Sequence, residues 1–379
     1  MKNAIIGIMF FLCINNIYAH REKTYYLLGK VGETELAIKI DEYGNDCIAS
    51  YFTQSDLYNH LLEGIILENG QINLISKYWD PISKQNITKD SVQLIEKEKN
   101  FWTGTWTYEN KEKVTFTLKP IDIKELDHPF TEVINQYEID PFTAYRTKDV
   151  KFKKDKKEKI SKGARIRKMT DPVTGISFFR IINSRKYKIQ ADSINNKLIA
   201  IHLRMIDAKY SCVYAGNKGE YSVDYKVTFL NPNFISFTTN TNRSCYGSKG
   251  SNAVEYHTFK LIDGIAPKLE DLFWFGEQPQ PKLSTGEYKW MQYRYKVFGP
   301  KILEILTSLY PEKINDIETK QCNYNSIKAW QFPLWKLTSK GLYLESKTLT
   351  NKKCNETPWS IIPFEALKDF TNPSYNFSK

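Results

Sequence analysis

The sequence predicts a mainly β protein with minor α content: an α+β chain in which an N-terminal antiparallel β-barrel or sandwich precedes a mixed α+β domain. Aromatic residues make up 14% of the 379 residues, and the tyrosines recur within alternating stretches, which suits pleated, half-buried strands better than a helical bundle. Between residues 24 and 120, short apolar runs return roughly every ten residues with turn signals between them, the spacing of an antiparallel barrel or sandwich. Beyond residue 171 alternation dominates again, joined by one apolar stripe at helical spacing.

In chain order, residues 1–19 have the three parts of a secretion signal peptide: Lys2, an apolar stretch from Ala4 to Ile14, and an end that closes on the small residue Ala19. The apolar stretch of about eleven residues falls short of the roughly twenty that cross a bilayer as a helix, so cleavage before His20 is expected. Leu12 stands where a small residue must precede Cys13 for lipid attachment, so a lipid anchor is not expected. No later segment is a long uninterrupted apolar run. The expected product is soluble and periplasmic or secreted.

Residues 20–147 are expected to form the first β domain. Its runs include Tyr25-Tyr26-Leu27-Leu28, Glu35-Leu36-Ala37-Ile38, Cys47-Ile48-Ala49-Ser50-Tyr51-Phe52 and Phe101-Trp102-Thr103-Gly104-Thr105-Trp106, with Gly44-Asn45 and Asn69-Gly70 as tight-turn signals. On these phrases the stretch resembles a small β domain of exported bacterial proteins. Trp102 and Trp106 are expected as core or cross-strand pairs in preference to a carbohydrate-stacking surface. Cys47, between Asp46 and Ile48, is expected as a small buried hydrophobe.

Residues 148–170 break the pattern. Eleven basic residues between Lys148 and Lys168 face three acidic ones, Asp149, Asp155 and Glu158, so this segment carries most of the formal charge of +11. Like-charge blocks poor in large apolar residues do not bury enough surface to offset their ordering entropy. A solvated basic linker is the expectation. The alternative is a strip that binds an anionic surface (lipid, lipopolysaccharide phosphate or wall polymer) through Lys151, Lys153, Lys154, Lys156, Lys157, Lys159, Lys162, Arg165, Arg167 and Lys168, at about 1 kcal/mol per charge. Nucleic acid is set aside, because an exported chain does not meet it and no aromatic platform interleaves these cations. Membrane contact is expected to be peripheral at most.

Residues 171–379 are expected to form the α+β domain, opening on the turn Asp171-Pro172-Val173-Thr174-Gly175. Glu220 to Phe229, Phe234 to Thr239 and Ala253 to Lys260 alternate as strands, with Asn231-Pro232-Asn233 as a turn. Ile302, Leu303, Ile305, Leu306 and Leu309 after Pro300 mark one amphipathic helix. Of six cysteines, Cys13 leaves with the signal, so five remain and one stays unpaired in a monomer. Spacing groups Cys212 with Cys245 and Cys322 with Cys354, loops worth about 3 kcal/mol each if bridged. Connectivity stays open at this point.

Catalytic residues are not found. The five histidines stand singly, without metal-ligand spacing, and no nucleophile elbow, phosphate loop or dinucleotide fingerprint is present. No metal or cofactor is expected. Glu270-Asp271 is an adjacent carboxylate pair expected to cap or solvate a turn.

Phe234-Ile235-Ser236-Phe237, Cys245-Tyr246-Gly247, Tyr256 to Gly264 and Pro267-Lys268-Leu269-Glu270-Asp271-Leu272-Phe273 together resemble the RsiV-like extracytoplasmic domain of lysozyme-sensing anti-sigma factors, which is also appended to some peptidoglycan deacetylases. Leu337 to Leu344 and Trp359 to Leu367 resemble its closing segments, so the likeness covers residues 176–370. The family's glycine-glycine-alanine-histidine loop is here Gly247-Ser248-Lys249-Gly250-Ser251, without histidine. The resemblance implies a non-catalytic binding or inhibitor protein at the bacterial envelope, whose partner is an envelope protein, a cell-wall polymer, or a lysozyme-like enzyme or toxin. The basic balance offers no acidic surplus to attract a cationic lysozyme. An immunity protein against a periplasm-delivered toxin, an envelope-tethered structural protein and an unrecognised cell-wall hydrolase are the alternatives.

Overall fold

A computed structural model describes residues 23–80, 85–161, 163–214, 217–245, 250–278, 280–282, 284–315, 322–346, 354, 357–375 and 377. The signal expected over residues 1–19, Lys162, and Gly247-Ser248-Lys249 lie outside the described residues.

Eight antiparallel strands close into a barrel: β1 (Lys23–Val31), β2 (Thr34–Tyr43), β3 (Asp46–Thr53), β4 (His60–Ile66), β5 (Ile72–Asp80), β6 (Gln85–Glu98), β7 (Phe101–Thr107) and β8 (Lys113–Pro120). Closure is made by β1, which pairs with β2 along its length and with β8 from Leu27↔Pro120 to Lys30↔Thr117. The inward positions carry Leu27, Ile38, Ile40, Leu62, Leu74 and Leu94, so the barrel is filled by side chains. Trp102 and Trp106 belong to that core, edge-on to Tyr25 and Tyr51 respectively, and offer no sugar platform. Gly64 lets β4 meet β5 closely, since a Cβ there would lie 1.9 Å from the Asn73 carbonyl oxygen.

After the barrel come α1 (Thr131–Gln136) and α2 (Pro141–Arg146), the second started by Asp140, whose carboxylate accepts from the Thr143 amide at 3.0 Å. Phe142 and Tyr145 of α2 pack on Phe52 and Ala37. The Arg146 guanidinium lies over Phe52 and Phe142 and donates to Asp207 at 2.5 Å, to Ser211 at 3.1 Å and to Asn59.

Two compact units can be drawn. One takes the chain through Val150 with Leu203–Tyr221 and Arg243–Gly250, and the other takes Lys151–His202, Ser222–Asn242 and Ser251–Lys379. The segments interleave, where the sequence reading gave contiguous stretches at 20–147, 148–170 and 171–379.

The basic stretch is not a linker. It forms β9 (Lys153–Ser161) and β10 (Ala164–Thr170), which pair with β11 (Ser177–Ile181) in a sheet of order β11-β10-β9. Charge count hid the pattern that decides the matter: Ala164 and Ile166 alternate into the core, Ile166 opposite Ile181, while Arg165, Arg167 and Lys168 are less buried. The outer strand β9 is therefore rich in lysine, a common way of keeping an unpaired edge from templating aggregation.

The next element, α3 (Asp192–Ser211), is a 20-residue helix that the alternation reading passed over. Its buried residues Ile194, Leu198, Leu203, Ile206 and Tyr210 follow helical spacing. Then follow the short pair β12 (Val213–Tyr214) and β13 (Asn217–Lys218), and a sheet of β14 (Glu220–Leu230), β15 (Phe234–Ser244) and β16 (Ser251–Lys260) in that order. Four helices come next: α4 (Leu269–Leu272), α5 (Tyr288–Tyr293), α6 (Gly299–Leu309) and α7 (Pro311–Asn315), with a π-helical stretch Arg294–Phe298 joining α5 to α6. The stripe expected after Pro300 is α6, with Ile302 and Leu306 fully buried. The expected strand through Leu337 to Leu344 is a hairpin, β17 (Leu334–Thr338) and β18 (Gly341–Glu345), and β19 (Ile361–Ile362) pairs with β18.

Both disulfides join the cysteines that spacing grouped. Cys212 bridges Cys245 across a separation of 33, Cys322 bridges Cys354 across 32, and Cys47 stays free inside the barrel.

Candidate functional site

Among the described residues, no group of three or more His, Cys, Asp or Glu side chains is placed to hold a metal ion. His128 and His257 hold structure. His128 is buried, its Nδ1 accepting from the Phe130 amide at 2.9 Å. His257 stacks on Phe237 at 4.8 Å with Nε2 3.0 Å from the Thr239 hydroxyl, and burial lowers its pKa.

A groove of about 650 Å³ runs beside β16, the outer strand of its sheet. Residues Ser251 to Glu255 of that strand are exposed, including Val254 at 52%. The facing wall is aromatic, with Trp290 from α5 and Phe332 and Trp335 from the approach and start of β17. Trp290 and Phe332 lie 5.4 Å apart, and Tyr295 meets Phe332 edge-on at 5.4 Å.

A buried ion pair forms the floor. The Glu270 carboxylate accepts from Arg294 Nε at 2.7 Å and from Trp290 Nε1 at 2.7 Å, and the guanidinium lies 4.0 Å over the Phe298 ring. Local sequence explains the arrangement: the π-helical stretch after α5 adds a residue to the turn and aims Arg294 inward at the start of α4. The expectation that Glu270-Asp271 caps or solvates a turn holds for one member. Asp271 accepts from the Lys268 amide at 2.9 Å at the start of α4, whereas Glu270 points into the protein. With one oxygen engaged by Arg294 and Trp290, Glu270 braces the groove.

At the groove's end Tyr256 donates to Glu345, and burial, then that contact, push the phenol far above its ordinary pKa. Lys336 Nζ lies 4.2 Å from the Tyr256 ring and 4.5 Å from the Tyr343 ring. Of the expected anion-binding residues, Lys153, Lys154, Lys156, Lys157 and Lys159 stand on β9 and Arg165, Arg167 and Lys168 on β10, with Lys151 just before. Pairing gathers some of them across the sheet, Lys159↔Arg165 and Lys157↔Arg167, with Arg167 also opposite Arg180. Directly opposed like charges destabilise a sheet. Arg167 Nε is buried without a hydrogen-bond partner.

The aromatic wall was missed in the sequence because Tyr288-Lys289-Trp290-Met291-Gln292-Tyr293-Arg294-Tyr295 has neither strand nor clean helical periodicity; its density of aromatic residues was the signal available. Neither protein-family models nor curated proteins match this chain.

Proposed function

We propose that this chain is an exported, two-domain, non-catalytic binding protein of the bacterial envelope, of inhibitor type, which takes an extended segment of a protein partner along β16. The observation that carries the reading is the groove itself: an outer strand with exposed residues facing a wall of Trp290, Phe332 and Trp335. An added strand gains main-chain hydrogen bonds from a sheet edge, and alternate side chains find pockets in the facing wall. The signal-like start, the disulfides and the resemblance of residues 176–370 support an extracytoplasmic setting. The basic hairpin adds contact with an anionic envelope surface.

The test is capture from periplasmic extract with the disulfide-intact chain, beside the variants Val254→Pro and Phe332→Ala. A specific protein held by the parent chain and lost by both variants is the expected result. No specific protein on a folded bait, or hydrolysis of purified peptidoglycan by the chain, would overturn the reading.

A further inference from the structure

A second concavity, of about 920 Å³, shares no lining residue with the β16 groove. Ile189, Val227, Phe229, Ile361, Phe364 and Phe377 supply apolar wall, and the closing end of the basic hairpin contributes Ile160 and Ala164. That end is held in place by Gly163, at φ +80°, against the Tyr187 ring, where a Cβ would come within 2.1 Å. Three cations, Lys226, Lys336 and Lys340, line the cavity, and no acidic residue does.

Four polar side chains of the lining, Thr228, Thr338, Asn231 and Ser161, are already committed inside the protein. Thr228 donates to the Ser236 and Leu337 carbonyls at 3.2 and 2.7 Å, and Thr338 to the Gly341 carbonyl at 2.9 Å. Asn231 accepts from the Asn233 and Phe234 amides at 2.9 and 2.8 Å, and Ser161 donates to the Leu230 carbonyl at 3.4 Å. A sugar laid in this space would bring many hydroxyls and find few side-chain partners. An alkyl chain brings none. The lysines alone offer directed recognition, and they ask for one anionic end. Burial lowers the Lys336 pKa, with the nearby Glu345 charge opposing the shift and the Lys226 charge adding to it, and a bound anion offsets the lowering.

We infer that this cavity is a binding site for a long-chain fatty acid, the acyl tail against Val227, Phe229, Ile361 and Phe364 and the carboxylate at Lys226, Lys336 and Lys340. Its volume lies in the range of roughly 300–1,000 Å³ usual for sites that enclose small ligands. The inference stands apart from the reading of the β16 groove, because either site can exist without the other.

The test is titration calorimetry of the disulfide-intact chain with palmitate below its micellar concentration. Two controls run alongside: acetate, which has the head without the tail, and a hexadecyl trimethylammonium salt, which has the tail with the opposite charge. Hexadecyl phosphate and a lysophospholipid separate a carboxylate site from a general anionic-lipid site. Expected are saturable palmitate binding, no heat with acetate, at least tenfold weaker binding of the ammonium, binding of the two phosphates no tighter than that of palmitate, and at least a tenfold loss in the triple variant Lys226→Gln, Lys336→Gln, Lys340→Gln. Val227→Glu is expected to abolish binding. Circular dichroism of each variant verifies the fold, and Lys226→Gln with Lys340→Gln alone, both at exposed positions, serves if the triple variant unfolds. No palmitate binding, ammonium binding as tight as palmitate, or tighter binding of either phosphate would overturn the proposal.

Discussion

His202 is fully buried, stacked on Phe152 with centroids 4.3 Å apart, and its ring nitrogens define one protonation state. Nδ1 lies 3.4 Å from the Arg180 guanidinium, which can only donate, so Nδ1 accepts and Nε2–H donates to the Ile176 carbonyl at 3.1 Å. Burial, then the Arg180 charge, pushes the His202 pKa down to about 3. The unfolded chain takes up a proton near its ordinary value, about 6.5, while the folded one does not. His202 therefore contributes its full stability above about pH 6.5 and loses it as pH falls towards 3. The acid limb of a melting-temperature profile is expected to flatten in His202→Gln, and an unchanged limb would refute this. Glu270→Gln is expected to cost roughly 3 kcal/mol or more in urea denaturation, since it leaves Arg294 buried without its counter-charge. A change within about 0.5 kcal/mol would place the pair's role elsewhere. Neither side chain announced its surroundings in the sequence: a lone His and an adjacent Glu-Asp pair read as ordinary surface or core residues until α3, α4 and the π-helical stretch bring Arg180 and Arg294 to them.

The element least legible in the sequence was the basic hairpin. Composition argues by sums, and the sum over residues 148–170 said disorder, whereas strand formation depends on which positions repeat with period two. Ile160, Ala164 and Ile166 were enough to anchor β9 and β10 against β11. Limited trypsin is accordingly expected to leave the basic residues of Lys153–Ser161 and Ala164–Thr170 uncut at ratios that nick exposed loops, because cleavage needs an extended segment freed from its sheet. Mass spectrometry would show the contrary as early cuts there. The barrel strands were legible, since alternation and turn residues coincide at nearly every β-turn-β step. The helix α3 was not, because its polar residues (Asn195, Asn196, Lys197, Arg204, Asp207) dilute the stripe that Ile194, Leu198, Leu203 and Ile206 make.

At the scale of the molecule, a mainly β chain with minor helix was foreseen as a class, its first part only as a barrel or sandwich, and neither the closure over eight strands nor the interleaved units were. Long-range pairing is decided by which faces fit, and a single sequence records each face separately. The disulfides were foreseeable because each pair is close in sequence. Replacing Cys322 and Cys354 by Ala is expected to lower stability by roughly 3 to 4 kcal/mol, and likewise for Cys212 with Cys245, measured by thermal unfolding. A loss below about 1 kcal/mol would mean that the unfolded chain is already constrained.

The odd thiol gives the barrel a second role. Cys47 is 2% exposed among the inward side chains of β3, and burial raises its pKa to about 11, so it is neither reachable nor ionised at neutral pH. Until β1 meets β8, however, that sulfur is a competitor for four partners, and every wrong pairing it makes must be undone by exchange. The closed barrel thus acts as a safe for its own thiol, and oxidative maturation is cleanest when the lock closes first.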